Sequence, residues 1–169
     1  MWAIFLKDLT MALATLATFG GGCFWGVEEL FRTTHGVTNT ASGYMGGTTQ
    51  NPSYQDVCSK TTDHAEVVQI TFDADKVSYD ELLTIFFENH NPTQMNRQGP
   101  DVGTQYRSVI FVHDDQQKNA AGVYIEKLTD EHRFNQPIVT QICPVETFWI
   151  AEDYHQQYLQ KRGLSVCHI

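Results

Sequence analysis

The stretch that most constrains the fold of this chain is residues 20–26, which read Gly-Gly-Gly-Cys-Phe-Trp-Gly. The apolar run 13–19 before it predicts a strand, and the three glycines predict a tight turn. Apolar residues then fall at helical spacing over 27–31, with Glu28 and Glu29 between them. We therefore expect a strand, a glycine turn and a helix that begins near Cys23.

This placement has a chemical consequence for Cys23. A helix N-terminus presents unpaired N–H groups and a partial positive charge, which favour a thiolate over a thiol. We therefore expect the pKa of Cys23 to lie below the value of about 8.5 for a free thiol. The alternative is a small core residue at a tight turn, since buried and inert cysteines are common. The glycines favour the reactive role, because they would let the backbone approach a small substrate closely.

Length and charge define the class of protein. A chain of 169 residues fits one domain over 1–169, with 1–17 as an N-terminal extension or lead into the first strand and 163–169 as a mobile tail. Its 20 acidic and 11 basic residues give a formal net charge of −9 without a basic cluster, so we expect no nucleic-acid partner. No apolar run is long enough to span a membrane. We expect a cytoplasmic monomer.

Four cysteines occur in the chain, and none of them forms a C-x-x-C pair. This spacing favours free thiols in a reducing compartment over a disulfide scaffold. Cys167 lies near the end of the chain, where a mobile thiol can approach a reacted one, as a resolving cysteine must. Alone, it is only a stray terminal cysteine. For Cys58 and Cys143 the sequence favours structural roles.

The order of the predicted elements indicates the fold. Strands are expected at 13–19, 35–45, 64–72 and 106–113, with helices from Cys23 and from the capping box that begins at Ser78. Strand, helix, strand, strand, helix, strand is the order of a ferredoxin-like β-α-β-β-α-β core. We predict an α+β fold, a two-layer α/β sandwich with extra helices and a C-terminal coil. The later elements are expected at 116–132, 138–142, 147–150 and 151–161.

Two long loops are expected to carry function, because loops of this length are uncommon within a compact domain. They cover 46–63, with Tyr54 in the middle, and 91–105. An isolated loop tyrosine is more often a packing residue. Glu66 shares one face of its strand with apolar residues, so burial should raise its pKa. The alternative is a solvated carboxylate at the wet end of the strand.

A zinc site is the competing interpretation. His64-Ala65-Glu66 matches the H-x-E of zinc deaminases, but the P-C-x-x-C that this family needs is missing. The deaminase reading is therefore rejected. Zinc held by Cys58, His64 and Cys143, in a hydrolase that uses Glu66, stays open. A non-enzymatic binding module with a degenerate redox fold is a third hypothesis.

Residues 22–26, Gly-Cys-Phe-Trp-Gly, resemble the active-site signature of the A-type peptide methionine sulfoxide reductases. The similarity runs from about Thr18 onward, in the family's own order. It continues at 43–47, 51–58, 64–68, 88–93, 97–108 and 151–156. Several long motifs in one order identify the chain as similar to this family over nearly its whole length, apart from residues 1–17.

The resemblance implies a role for each side chain at the site. Cys23 would be the nucleophile, and Phe24 and Trp25 would form the apolar wall that receives the S-methyl group of the substrate. Glu66 would donate a proton to the sulfoxide oxygen. The remaining residues implied are two hydrogen-bond donors to that oxygen, Tyr54 and Tyr106, and Asp101, which would shape the site through a water or substrate contact.

The resemblance also implies how the enzyme is recycled. Cys167 resembles the resolving cysteine of family members with short tails, and would form a disulfide with oxidised Cys23. Thioredoxin or another external dithiol would then reduce that disulfide, without a metal or organic cofactor. The implied substrates are free methionine sulfoxide and oxidised proteins, as the S epimer at sulfur.

Overall fold

The structure is a computed structural model, and it describes residues 15–165. The expected N-terminal extension up to residue 14, and Cys167 in the tail, lie outside the described residues. The strands are β1 (Thr15–Gly20), β2 (Val37–Met45), β3 (Ala65–Phe72), β4 (Arg97–Gln98), β5 (Asp101–Val102), β6 (Val109–Val112), β7 (Gln141–Pro144) and β8 (Trp149–Ile150). The helices are α1 (Phe24–Arg32), α2 (Tyr54–Cys58), α3 (Tyr79–Glu88), α4 (Asp115–Asp130) and α5 (Tyr158–Lys161), with single 3₁₀ turns at Thr104–Tyr106 and Asp153–His155.

The main sheet has six strands in the order β7-β6-β1-β3-β2-β8. Its four central strands, β6-β1-β3-β2, pair with one another in the antiparallel direction. With α1 between β1 and β2 and α3 between β3 and β6, this is the predicted ferredoxin-like arrangement, so the predicted fold class is confirmed. β7 extends one edge in parallel with β6, and β8 extends the other edge antiparallel to β2. β4 and β5 form a separate two-stranded hairpin.

Both faces of the sheet bury apolar side chains. On one face the ring of Phe19 stacks on Phe31 of α1, with centroids 5.2 Å apart, and on Phe86 of α3, with centroids 4.9 Å apart. One strand thus joins the two core helices, and each fully buried side chain of this size contributes roughly 1.5–3 kcal/mol. The other cluster holds Met45, Ala65, Val67, Val109 and Phe111. Apolar packing on both faces therefore holds the part of the sheet from which α1 begins.

The predicted helix starts are confirmed, and the last predicted helix is wrong. Ser78 forms the expected capping box at α3, and Asp114 caps α4. The expected helix over 151–161 is instead a 3₁₀ turn followed by the four residues of α5, because Gln157 adopts a left-handed φ of 51° that interrupts the helix. Gly163 follows α5 with a φ of 66°, the left-handed conformation typical of a C′ glycine.

The loop 46–63 contains the short helix α2, which the sequence pattern did not predict. A capping box between Ser53 and Asp56 starts this helix at Tyr54. Across the described segment, every helix is too short or too polar to span a bilayer.

Candidate active site

The glycine turn between β1 and α1 packs closely against the backbone of β3 and against Gln98 of β4. A Cβ atom on Gly20 would lie 2.9 Å from the backbone oxygen of Glu66, and one on Gly22 would lie 2.8 Å from the Cγ of Gln98. Gly22 also has a φ of 97°, which only glycine adopts without strain. These two glycines therefore serve close packing and turn geometry. As predicted, α1 begins directly afterwards, with Cys23 at its N-cap.

The predicted low pKa of Cys23 is wrong. Burial, followed by the negative charge of Glu66, raises the pKa of this thiol to about 12. Hydrogen bonds from the backbone N–H groups of Trp25 and Gly26 favour the thiolate, as a helix start should, but they are outweighed. The turn that places the sulfur at the helix N-terminus also places it in a partly buried position beside a carboxyl group. The resting form of Cys23 at neutral pH is the thiol.

Glu66 is buried on β3, with 1% of its surface exposed, so the alternative of a solvated carboxylate is wrong. Its Oε2 accepts a hydrogen bond from the backbone N–H of Phe24 over 3.1 Å. Burial, with a smaller contribution from Asp101, raises the pKa of Glu66 to about 8. The raised pKa that the strand pattern predicted is confirmed. At neutral pH this carboxyl group mostly carries a proton that it can donate.

Three further segments converge on Glu66. Tyr54 begins α2, Tyr106 ends the 3₁₀ turn at Thr104–Tyr106, and Asp101 lies on the β4–β5 hairpin. Burial raises the pKa of both phenols, and the charge of Glu66 raises each further. Asp101 likewise raises the pKa of Tyr106. Both expected active-site loops thus reach one place, and both tyrosines are hydrogen-bond donors at neutral pH.

Glu152 holds the tyrosine loop in place, and the sequence analysis gave it no role. Its carboxylate accepts hydrogen bonds from the hydroxyl group of Tyr44 and from the backbone N–H of Tyr54, each over 3.1 Å. These backbone and side-chain hydrogen bonds lower the pKa of Glu152, although burial opposes them. The start of α2 is therefore tied to β2 through a charged acceptor.

Phe24 and Trp25 lie together at the start of α1, the first buried and the second partly exposed. The indole Nε1–H of Trp25 donates to Nδ1 of His155 over 2.9 Å, and the indole ring stacks on Tyr158 with centroids 3.7 Å apart. The ring of His155 also lies 4.6 Å from that of Tyr54. His155 lies in motif 151–156, yet sequence reasoning gave it no role, because nothing in the pattern shows that its partner is Trp25.

Cys23 opens into a cavity of about 420 Å³ between α1, α3 and the C-terminal segment. Trp25 lines this cavity, and so do Leu164 and Ser165. Cys167 itself lies outside the described residues. The segment that leads to it ends beside the cavity into which Cys23 opens.

The other two cysteines and the proposed zinc ligands are not gathered into a metal site. Nowhere in residues 15–165 do three potential metal ligands of the His, Cys, Asp or Glu type come together. His64 uses both ring nitrogens: Nδ1 accepts from the backbone N–H of Gly47 over 3.0 Å, and Nε2 bonds to the carbonyl of Thr49 over 2.7 Å. The zinc set Cys58, His64 and Cys143 is therefore wrong. Cys58 instead lies beside the hydroxyl group of Tyr54, whose pKa it raises.

Comparison with known proteins places this site in a family. The sequence profile of the peptide methionine sulfoxide reductases matches residues 15–169. The peptide methionine sulfoxide reductase MsrA of Acidobacterium capsulatum is 60% identical over 153 residues, which cover 90% of this chain and 98% of the relative. That of Geobacter sulfurreducens is 58% identical over 151 residues, which cover 89% of this chain and 93% of the relative.

Solved structures give the same result. Mxr1 from Saccharomyces cerevisiae in its reduced form superimposes with a TM-score of 0.84 at 36% identity, covering 94% of this chain and 91% of that one. The same protein in complex with Trx2 superimposes with a TM-score of 0.60 at 26% identity, covering 88% and 86%. With the thiol, the buried carboxyl group and the two phenols assembled as its motifs predict, this chain belongs to the peptide methionine sulfoxide reductase family.

Proposed function

We propose that this chain reduces methionine S-sulfoxide, free or within proteins, to methionine and so repairs oxidised proteins. Family membership supports this activity. The observation that carries it is the buried carboxyl group of Glu66, protonated at neutral pH and bonded to the residue that follows Cys23. A sulfoxide sulfur is a poor electrophile until its oxygen gains a proton, and the site holds an acid for this purpose.

The first step transfers oxygen from substrate to enzyme. The S-methyl group lies against Phe24 and Trp25, and the sulfoxide oxygen receives the proton of Glu66 while Tyr54 and Tyr106 donate hydrogen bonds. The sulfur of Cys23 attacks the substrate sulfur to form an S–S bond, and the thiol proton passes to Glu66. The protonated oxygen then moves from the substrate sulfur to the Cys23 sulfur as the S–O bond of the substrate and the S–S bond break. Methionine leaves with the electron pair of the S–S bond, and Cys23 is a sulfenic acid. General acid catalysis of this kind contributes about 10²–10⁴-fold in rate.

Asp101 shapes the site through a contact to the substrate or to a water. Its support is its position on the β4–β5 hairpin, where its charge raises the pKa of Cys23, Glu66 and Tyr106. A carboxylate at this position also favours the protonated form of Glu66.

The second stage restores the thiol. The Cys167 thiol attacks the sulfenic sulfur of Cys23, water leaves and a disulfide forms. Thioredoxin reduces this disulfide by thiol exchange, which consumes its two thiols and returns Cys23 and Cys167. The complex of Mxr1 with Trx2 supports thioredoxin as the partner. No metal or organic cofactor enters the reaction.

The chiral sulfur of the substrate explains the choice of one epimer. With the methyl group on the apolar wall and the oxygen at Glu66, the rest of methionine has one direction left, so a single pocket accepts one configuration. The proposed scheme needs no second copy of the chain, and action as a monomer stays a prediction. A cytoplasmic location stays a prediction.

A thioredoxin-coupled assay with methionine S-sulfoxide tests the proposal. The unmodified chain should turn over, Cys23→Ser should not, and Cys143→Ser should behave like the unmodified chain. Cys143 is a matched control, because it is a partly buried thiol on β7, packed on the cluster that includes Met45 and Phe111. Turnover by Cys23→Ser at the normal rate would remove the proposed nucleophile.

A further inference from the structure

The proposed reaction leaves the most deeply buried carboxylate of α1 without a role. Glu28 is 1% exposed and lies one helical turn after Trp25. Its Oε1 accepts a hydrogen bond from Oγ1 of Thr40 over 3.0 Å, and its Oε2 accepts one from Oγ of Ser42 over 2.9 Å. Burying a carboxylate costs free energy unless the group is hydrogen-bonded. The two hydroxyl donors offset this cost for Glu28.

The third hydrogen bond of Glu28 reaches the C-terminal segment. The backbone N–H of Gln157 donates to Oε2 of Glu28 over 2.8 Å. Gln157 has a left-handed φ of 51°, a conformation that costs of order 1 kcal/mol or more for a residue other than glycine. Such a bend persists only where neighbouring contacts hold it, and Glu28 supplies a contact at the bend itself.

The two residues around this bend are those that hold the indole of Trp25. His155 precedes Gln157 by two residues and accepts the indole N–H over 2.9 Å. Tyr158 follows directly and stacks on the indole with an interplanar angle of 6°. One short segment thus contacts both the edge of the indole, through His155, and its face, through Tyr158. Glu28 holds this segment at Gln157, which lies between those two residues.

A second anchor of the segment does not reach α1. Gln156 bonds to β2 in both directions, accepting from the backbone N–H of Ser42 over 2.8 Å and donating to its carbonyl over 2.9 Å. This pair holds the segment to the sheet. The contact of Glu28 with Gln157 instead ties the segment to α1, the helix that carries Trp25.

We propose that Glu28 is a positioning residue. By fixing the bend at Gln157, it holds His155 and Tyr158 against Trp25. The position of Trp25 in turn sets the width of the pocket that receives the S-methyl group. This inference rests on the proposed function through the contact of Trp25 with that group. Loosening Glu28 should widen the pocket and weaken the selection of methyl over larger groups.

The test compares the S-sulfoxides of methionine and ethionine, which differ by one methylene on the reacting sulfur. A well-formed apolar pocket distinguishes one methylene by about 10–200-fold in kcat/KM. We expect Glu28→Ala to reduce the methyl-to-ethyl ratio by about 3- to 10-fold, a part of that range. Glu28→Gln should restore most of the ratio, because its amide oxygen still accepts from Gln157.

Two variants act as controls. Thr40→Val removes the hydroxyl donor to Oε1 and leaves both bonds to Oε2, so its ratio should match that of the unmodified chain. Glu29→Gln changes the neighbouring carboxylate, which pairs with Arg32 over 2.7 Å, and should also leave the ratio unchanged. An unchanged ratio in folded Glu28→Ala, or an equal fall in Thr40→Val, would overturn the proposal.

Fluorescence of Trp25 gives a readout independent of activity. The chain has three tryptophans, so Trp2→Phe and Trp149→Phe leave Trp25 as the single emitter. In this background Glu28→Ala should shift the emission and increase quenching by acrylamide, whereas Glu28→Gln should not. Emission that Glu28→Ala leaves unchanged contradicts the positioning role even if the chain reduces methionine sulfoxide. An unmodified chain inactive on both sulfoxides contradicts the proposed function instead.

Discussion

The carboxyl group of Glu66 accepts a hydrogen bond from the backbone N–H of Phe24 over 3.1 Å. This bond joins β3, which lies between β1 and β2 in the sheet, to the first residue of α1. Cys23 directly precedes Phe24, so acid and thiol are held together by backbone rather than by flexible side chains. The same bond stabilises negative charge on Glu66, yet burial dominates and keeps the carboxyl group protonated at neutral pH.

The rate of the first step should report the proton of Glu66. Its pKa is raised to about 8 and that of Cys23 to about 12, so the form with both protons dominates below pH 8. We expect the single-turnover rate to be flat below about pH 7 and to fall above pH 8 towards tenfold per unit, measured by rapid quench.

Glu66→Gln should lower this rate by about 10²–10⁴-fold at neutral pH and remove the fall above pH 8. A rate that instead rises tenfold per unit from about pH 6 to 8 would show that Cys23 must ionise before it attacks.

The same carboxyl group should reduce stability at high pH. The pKa of Glu66 is higher in the folded chain than in the unfolded chain, so the unfolded state ionises first as pH rises. The stability that Glu66 contributes is complete below about pH 4 and is lost up to about pH 8. The free energy of unfolding of Glu66→Gln should therefore exceed that of the unmodified chain by ~3 to 5 kcal/mol at pH 9. At pH 5 this difference should be smaller. Urea unfolding at both pH values measures this difference, and a constant difference would contradict the raised pKa.

The bond between Trp25 and His155 should contribute to stability only while both partners are present. His155→Phe leaves the indole N–H of Trp25 without its acceptor, which should cost about 1–3 kcal/mol in the free energy of unfolding. In a Trp25→Phe background the same substitution should cost less. A double-mutant cycle by urea unfolding measures the coupling, which we expect to be ~1 kcal/mol. Strictly additive effects would show that the bond contributes nothing.

Cys167→Ser should separate the two halves of the reaction. Without its proposed resolving thiol, the chain should still release one methionine from methionine S-sulfoxide, because Cys23 reacts first. Turnover with thioredoxin should fail, because no intramolecular disulfide forms. If thioredoxin turnover persists, Cys58 or Cys143 is the resolver, and Cys58→Ser in the same background is the next variant, because Cys58 lies beside Tyr54.

Much of the fold was predictable because its signals are local. Alternating apolar residues marked β3, and the capping box at Ser78 marked the start of α3. The last predicted helix failed at Gln157, where a backbone hydrogen bond donated to Glu28, 129 positions away, stabilises a left-handed bend. A periodicity argument does not contain such a contact.

The sequence motifs predicted which residues form the site. They predicted the pKa values and hydrogen-bond partners of those residues less well. The strand pattern led to a raised pKa for Glu66 from burial alone, whereas the pKa of Cys23 depends on competing effects. The helix start favours the thiolate, but burial and Glu66 outweigh it, and only the folded arrangement shows by how much. His155 and Glu152 escaped notice because their partners, Trp25 and Tyr54, lie about a hundred or more residues away in sequence.

The most direct test of the central claim is a single turnover without reductant, with each epimer of methionine sulfoxide given separately to the reduced chain. Methionine released and thiols lost are counted together. We predict one methionine released and two thiols lost per chain with the S epimer, and neither with the R epimer. No methionine from either epimer, from folded and fully reduced protein, would contradict the assignment of Cys23 and Glu66 to sulfoxide reduction.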